Sequence, residues 1–192
     1  MKIHDITQEL FSCKVFPGDP APERRVMLST AKGDICNLTA FSMCAHNGTH
    51  VDAPYHFLGD GETLDQMELE VFVGESYLAR HEGDVSAQDA REILRKAGGI
   101  PRILIGGKAT VTKEAAEVFA AAKIKLIGNE SQTVGPEDGP MQVHLILLGS
   151  RVALLEGIRL EGIAEGRYFL SAAPLNLGGA DGAPCRAYLI EA

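Results

Sequence analysis

The chain has 192 residues, 45% hydrophobic and 23% charged. At ~150 residues per domain this composition predicts one globular domain spanning 1–192. With 18 Lys+Arg against 26 Asp+Glu the net charge is −8, which disfavours a nucleic-acid backbone or an anionic lipid surface as partner. No apolar run approaches the ~20 residues of a membrane span, and the opening residues, with Asp5, Gln8 and Glu9, do not read as a secretory signal. Cys13, Cys36, Cys44 and Cys185 are scattered without a C-x-x-C pair. They are expected to be reduced thiols, and the expected compartment is the cytoplasm.

In chain order, residues 2–7 form a short β-branched run. It leads into Phe16-Pro17-Gly18-Asp19-Pro20, a turn-forming sequence. Residues 37–45 alternate loosely and predict a strand. Ser86 and Asp89 form a capping box, Ala90, Ile93, Leu94 and Ala97 follow at helical spacing, and Gly98-Gly99 stops the helix. Thr112 caps a second helix that carries Ala115, Val118, Phe119 and Ala122 on one face. Short β-like runs occupy 102–105, 125–127, 152–155 and 186–190. The spacing predicts a short helix around His144 that ends at Gly149, and it places Glu156 at the end of a β-run. Strands alternating with helices through the second half predict α/β packing.

Three of the six histidines fall in eleven residues, His46-Asn47-Gly48-Thr49-His50-Val51-Asp52-Ala53-Pro54-Tyr55-His56. Gly48, Thr49, Val51 and Pro54 oppose a helix. In an extended chain His46, His50 and Asp52 share one face with Gly48, which leaves room for an ion. Two imidazoles and a carboxylate suit Zn²⁺ or Mn²⁺ better than Ca²⁺. His56 lies past Pro54 and need not follow the same line. It can carry a proton between water and a leaving group, or serve as a further ligand or a bystander.

This stretch resembles the H-x-G-T-H-x-D-x-P-x-H signature of the cyclase family of metal-dependent hydrolases, which includes bacterial kynurenine formamidase and isatin hydrolase. His4-Asp5-Ile6-Thr7 with residues 16–20 resembles the family's opening elements. Pro174-Leu175 through Asp181-Gly182-Ala183-Pro184-Cys185-Arg186-Ala187 resembles its closing stretch. The resemblance implies a swivelling β/β/α fold, α/β in class, with a mixed sheet or barrel-like β core flanked by helices. It implies that His46, His50 and Asp52 hold one ion, that Asp52 bridges to a second where two are bound, and that His56 is the proton shuttle. The family's remaining ligands, a histidine and a glutamate twelve positions apart, correspond to His144 and Glu156. The implied cofactor is Zn²⁺, one or two ions, with Mn²⁺ as the other choice. Five such ligands carry −2 against +4 for two ions, leaving +2 to stabilise developing negative charge.

The implied activity is hydrolysis of a C–N amide bond in a small-molecule substrate, an aryl formamide such as N-formylkynurenine. A homodimer or larger homo-oligomer is implied as well. Another cyclic amide, imide or small ester is the alternative substrate, and a non-catalytic metal or small-molecule binding protein is the more distant one. The chain has no tryptophan. Phe16 stands where the formamidases carry one against the substrate, so it is the expected substrate-stacking residue. Glu130 and Thr133 replace a family aspartate and serine, and the 104–107 run lacks an arginine often present there. These departures bear on substrate fit rather than on the metal ligands.

Overall fold

The computed structural model describes residues 1–191. Its strands are β1 (Lys2–Asp5), β2 (Glu23–Leu28), β3 (Leu38–Ser42), β4 (His50–Asp52), β5 (Val73–Arg80), β6 (Gly83–Val85) and β7 (Arg102–Gly106). They continue with β8 (Ala109–Val111), β9 (Leu126–Asn129), β10 (Ala153–Glu156), β11 (Gly166–Ser171), β12 (Gly182–Pro184) and β13 (Tyr188–Glu191). The helices are α1 (Ala87–Ala97), α2 (Lys113–Ala121) and α3 (Met141–Gly149).

Nine strands form one sheet in the order β1-β13-β11-β5-β7-β9-β10-β4-β12, curled into a half-barrel. The central pairs β5/β7, β7/β9 and β9/β10 are parallel. Parallel neighbours need a crossover, and α1, α2 and α3 supply one each. The flanking pairs are antiparallel. This mixed sheet flanked by helices is the architecture expected from the resemblance.

Side-chain alternation assigns each strand residue to a face. Ile103, Ile105, Ile127 and Leu154 pack with Ala90 and Ile93 of α1, Ala115 and Phe119 of α2, and Val143 and Leu147 of α3. Leu104, Leu126, Ala153 and Leu155 point the other way, onto Phe72, Leu78, Ile158 and Leu170. Both faces of the central strands are therefore buried, as parallel sheets require. The Ser86–Asp89 capping box and the Thr112 cap form as the sequence predicts. Among the described residues no helix is long and apolar enough to cross a membrane. All four cysteines are unpaired, and burial pushes the Cys185 thiol up to about 12.

Two differences from the sequence reading concern strands. Residues 37–45 contain β3, which pairs only with β2 in a separate two-stranded arm. β5 and β11 give no clean alternation, because Gly74, Glu75 and Arg80 in one and Arg167 in the other interrupt it. Their pairing with each other over six residues holds them in the sheet.

Candidate metal centre and active site

β4 and β10 are antiparallel neighbours, with Leu154 opposite Asp52 and Glu156 opposite His50. Val51 and Leu155 enter the core on the side away from the helices. The period of two therefore turns His50, Asp52 and Glu156 toward α3. α3 answers with His144, on the same buried face as Val143, Leu147 and Leu148. A strand pair and one helix thus bring together four groups that lie in three separate stretches of sequence. All four are at most 3% exposed.

His50 Nδ1 donates to the carbonyl of Gly48 at 3.1 Å, and His144 Nδ1 to that of Pro140 at 2.9 Å. Each ring therefore presents Nε2 to the carboxylates. His50 Nε2 lies 3.4 Å from Asp52 Oδ1 and 3.4 Å from Glu156 Oε2. His144 Nε2 lies 3.6 Å from Asp52 Oδ2 and 3.3 Å from Glu156 Oε1. Charge-assisted hydrogen bonds are shorter, ~2.7–2.9 Å. The edge of a tetrahedron with bonds of ~2.0–2.1 Å is about 3.3–3.4 Å, so these spacings are those of donors around a divalent ion. Asp52 Oδ2 is buried with no hydrogen-bond partner. Glu156 Oε1 is steadied by the backbone N–H of Val134 at 2.8 Å. These residues fit a divalent metal.

His46 reaches the site by a different route from the one its spacing suggests. The sequence predicts a continuous extended run from His46 to Asp52, but residues 46–49 turn and the strand begins at His50. Gly48, at φ +66°, makes that turn. His46 then lies between two carboxylates, with Nδ1 2.9 Å from Asp52 Oδ1 and Nε2 2.8 Å from Asp181 Oδ2. Burial works against charge on this ring, but Asp52 and Asp181 outweigh it and raise its pKa to about 10. Gly182 leaves space for the ring, since a Cβ there would sit 2.7 Å from His46 Cε1.

His56 ends a short 3-10 turn, Pro54–His56. Its ring stacks on His46 with centroids 4.0 Å apart, and its Nδ1 lies 3.1 Å from Asp181 Oδ2. Burial pushes its pKa down, against the opposing pull of Asp52. His46, Asp52 and His56 form a second group of donors within 4.8 Å of one another, sharing Asp52 with the group His50, Asp52 and Glu156. Spacing alone does not divide a ligand His46 from a proton-carrying His56.

Burial alone would raise Asp52, but the hydrogen bond from His46 and the charges of His50 and His46 hold its carboxyl below the usual carboxylate range. His50 and His144 are raised despite their burial, chiefly through Glu156.

The donors line a cavity of about 210 Å³, whose other lining residues include Phe16, Phe57, Gln132 and Thr133. Asp181 and Gln132 were not singled out from sequence. Asp181 stands in the quoted closing stretch, where its proximity to two histidines is invisible. Glu130 lies outside this cavity and accepts the backbone N–H groups of Gly107 at 2.7 Å and Leu160 at 2.8 Å, a loop-tying role.

The chain is similar along nearly its whole length to known proteins. Kynurenine formamidase of Bacillus anthracis is 31% identical, over 96% of this chain and 95% of its own length. Kynurenine formamidase of Sphingopyxis alaskensis is 32% identical, over 99% and 98%. A solved structure described as a predicted metal-dependent hydrolase from Bacillus stearothermophilus superimposes with a TM-score of 0.83 at 26% identity, covering 98% of this chain and 97% of that one. Isatin hydrolase A from Labrenzia aggregata shares the fold, with a TM-score of 0.83 at 20% identity over 98% of this chain and 93% of that one. The sequence model of the Cyclase family matches residues 4–136, and the chain belongs to that family.

Proposed function

We propose that the protein is a metal-dependent amidohydrolase that cleaves the C–N bond of an aryl formamide such as N-formylkynurenine. The observation that carries this reading is the set of N···O spacings of 3.3–3.6 Å joining His50 and His144 to Asp52 and Glu156. His50, Asp52, His144 and Glu156 hold a first Zn²⁺ or Mn²⁺, and His46 with the shared Asp52 extends the set toward a second. A divalent ion there lowers the pKa of water from ~15.7 toward ~7 and polarises a carbonyl oxygen.

The rest is done by side chains. Asp181 accepts from His56 Nδ1, so the unprotonated Nε2 is the working nitrogen. The lowered pKa keeps the ring neutral, able to take a proton from the attacking water and hand it to the leaving nitrogen. Phe16 and Phe57 stack on the aryl group and exclude water. The kynurenine formamidase relatives support the substrate class. A ring amide of the isatin kind is the second reading, favoured by an aromatic wall of Phe16 and Phe57 without tryptophan. The arm of β2 and β3 exposes Val26, Leu38 and Phe41, which supports a homodimer.

The test is elemental analysis of protein purified without added metal, followed by N-formylkynurenine, formanilide and isatin as substrates with and without chelator. Bound zinc or manganese and chelator-sensitive cleavage of the formamides are expected. Hydrolysis that persists after verified removal of the metal overturns the reading.

A further inference from the structure

Behind His50 lies a pair of buried side-chain amides that the metal ligands do not account for. Gln8 and Gln132 are each 7% exposed. Gln8 Oε1 accepts from the Lys14 backbone N–H at 3.0 Å and from Arg159 Nη2 at 2.8 Å. Both of those groups can only donate, so the Gln8 amide fits only one way round. Its nitrogen then donates to Gln132 Oε1 at 2.7 Å and to the Gly157 carbonyl at 2.7 Å. That fixes Gln132 in turn, with oxygen toward Gln8 and nitrogen toward the Gly48 carbonyl at 3.1 Å.

An amide nitrogen carries two hydrogens, and Gly48 takes one. Gln132 lines the cavity beside His50, His56, His144 and Glu156. Gly48 is the one acceptor of that nitrogen among the described residues, so its second N–H is free, on an amide of a cavity-lining residue whose orientation Arg159 and Gln8 have already set. Gly48 O is the same carbonyl that accepts from His50 Nδ1, so donor and metal ligand are referenced to one atom. A donor held in place before the substrate arrives needs no reorganisation when negative charge develops on a carbonyl oxygen.

We propose that Gln132 is a substrate-binding residue whose side-chain N–H, oriented through Gln8, receives the carbonyl oxygen of the scissile amide. This deepens the amidohydrolase reading and rests on it for the identity of the substrate.

The test titrates the zinc-loaded protein, labelled with ¹⁵N in its glutamine side chains, with acetanilide. The Gln132 amide hydrogens are identified by their nuclear Overhauser contact with the Gln8 amide. One of the two is expected to move downfield as acetanilide binds. An unmoved pair, or no binding, overturns the proposal. In a second arm Gln132→Met keeps the length and removes the donor. It is expected to retain full zinc content while kcat/KM for formanilide falls about 100-fold, mainly in kcat. Unchanged kinetics overturns the proposal, and so does loss of zinc, which would assign the amide to holding His50. If the wild-type protein cleaves no formamide the hydrolase reading fails, and the titration still decides Gln132 independently.

Discussion

His50 and Glu156 sit directly opposite each other across the β4–β10 ladder, with Nε2 3.4 Å from Oε2 and both side chains almost wholly buried. Nothing local holds them together, since one comes early and the other late in the chain. The ladder register sets their distance, and α3 closes the group with His144. Buried carboxylates need a counter-charge, and in the ion-free protein the protons drawn onto the histidines supply it.

That arrangement makes the ion part of the folded state. At zinc about 1,000-fold above its dissociation constant, loading contributes ~4 kcal/mol, equivalent to a Tm rise of about 8–16 °C at this chain length. Calorimetry of stripped and reloaded protein at fixed pH measures it. Glu156→Gln keeps an acceptor for the Val134 N–H but loses the charge, and is expected to weaken zinc binding at least ~100-fold and abolish the Tm gain. An identical Tm with and without zinc in the wild type counts against the centre.

His56→Ala is expected to retain the metal and lose ~10²- to 10⁴-fold in kcat on a formamide substrate. Metal content and steady-state kinetics on the same preparation separate the two roles its position allows. Loss of metal would make His56 a ligand, and full activity would remove it from the reaction.

Gly182 lies opposite Asp52 on β12, against the His46 ring. A methyl there would approach both His46 Cε1 and the Val51 carbonyl to 2.7 Å. Gly182→Ala is expected to displace His46, reduce kcat/KM ~10- to 100-fold and destabilise the fold by ~1–3 kcal/mol. Kinetics indistinguishable from wild type would show that the site tolerates the shift.

Away from the site, the Tyr77 hydroxyl donates to Glu165 Oε1 at 2.8 Å, beside Lys96 Nζ at 3.0 Å. Burial and then the Glu165 carboxylate push Tyr77 up to about 12. Folding therefore favours the neutral phenol. Its contribution is full below the unfolded pKa of ~10 and is lost as pH rises toward about 12. Tyr77→Phe is expected to lose ~1 kcal/mol at pH 7 and to show a shallower stability decline between pH 10 and 12 in urea titrations. A parallel decline in both proteins would exclude this pair as the source.

Much of the helical structure was legible because its signals are local. Ser86 and Asp89 cap α1, Thr112 caps α2, and the apolar spacing names their buried faces. His50, Asp52 and Glu156 were legible as side chains at strand phase, and His144 as a helix residue. The backbone route that brings His46 beside Asp52 was read wrongly, because alternation assumes a straight strand and Gly48 bends it. β5 and β11 were missed because their polar residues are tolerated only within their mutual pairing.

Sequence alone determined which donors this protein owns and on which kinds of element they ride, since the period of a strand or helix is set by the backbone next to each residue. The tertiary structure decided which donors meet. The opposition of His50 to Glu156, the sharing of Asp181 by His46 and His56, and the turning of Gln132 by Gln8 join segments far apart in the chain. Sheet register and packing fix those distances, and neither is carried by any short stretch of residues.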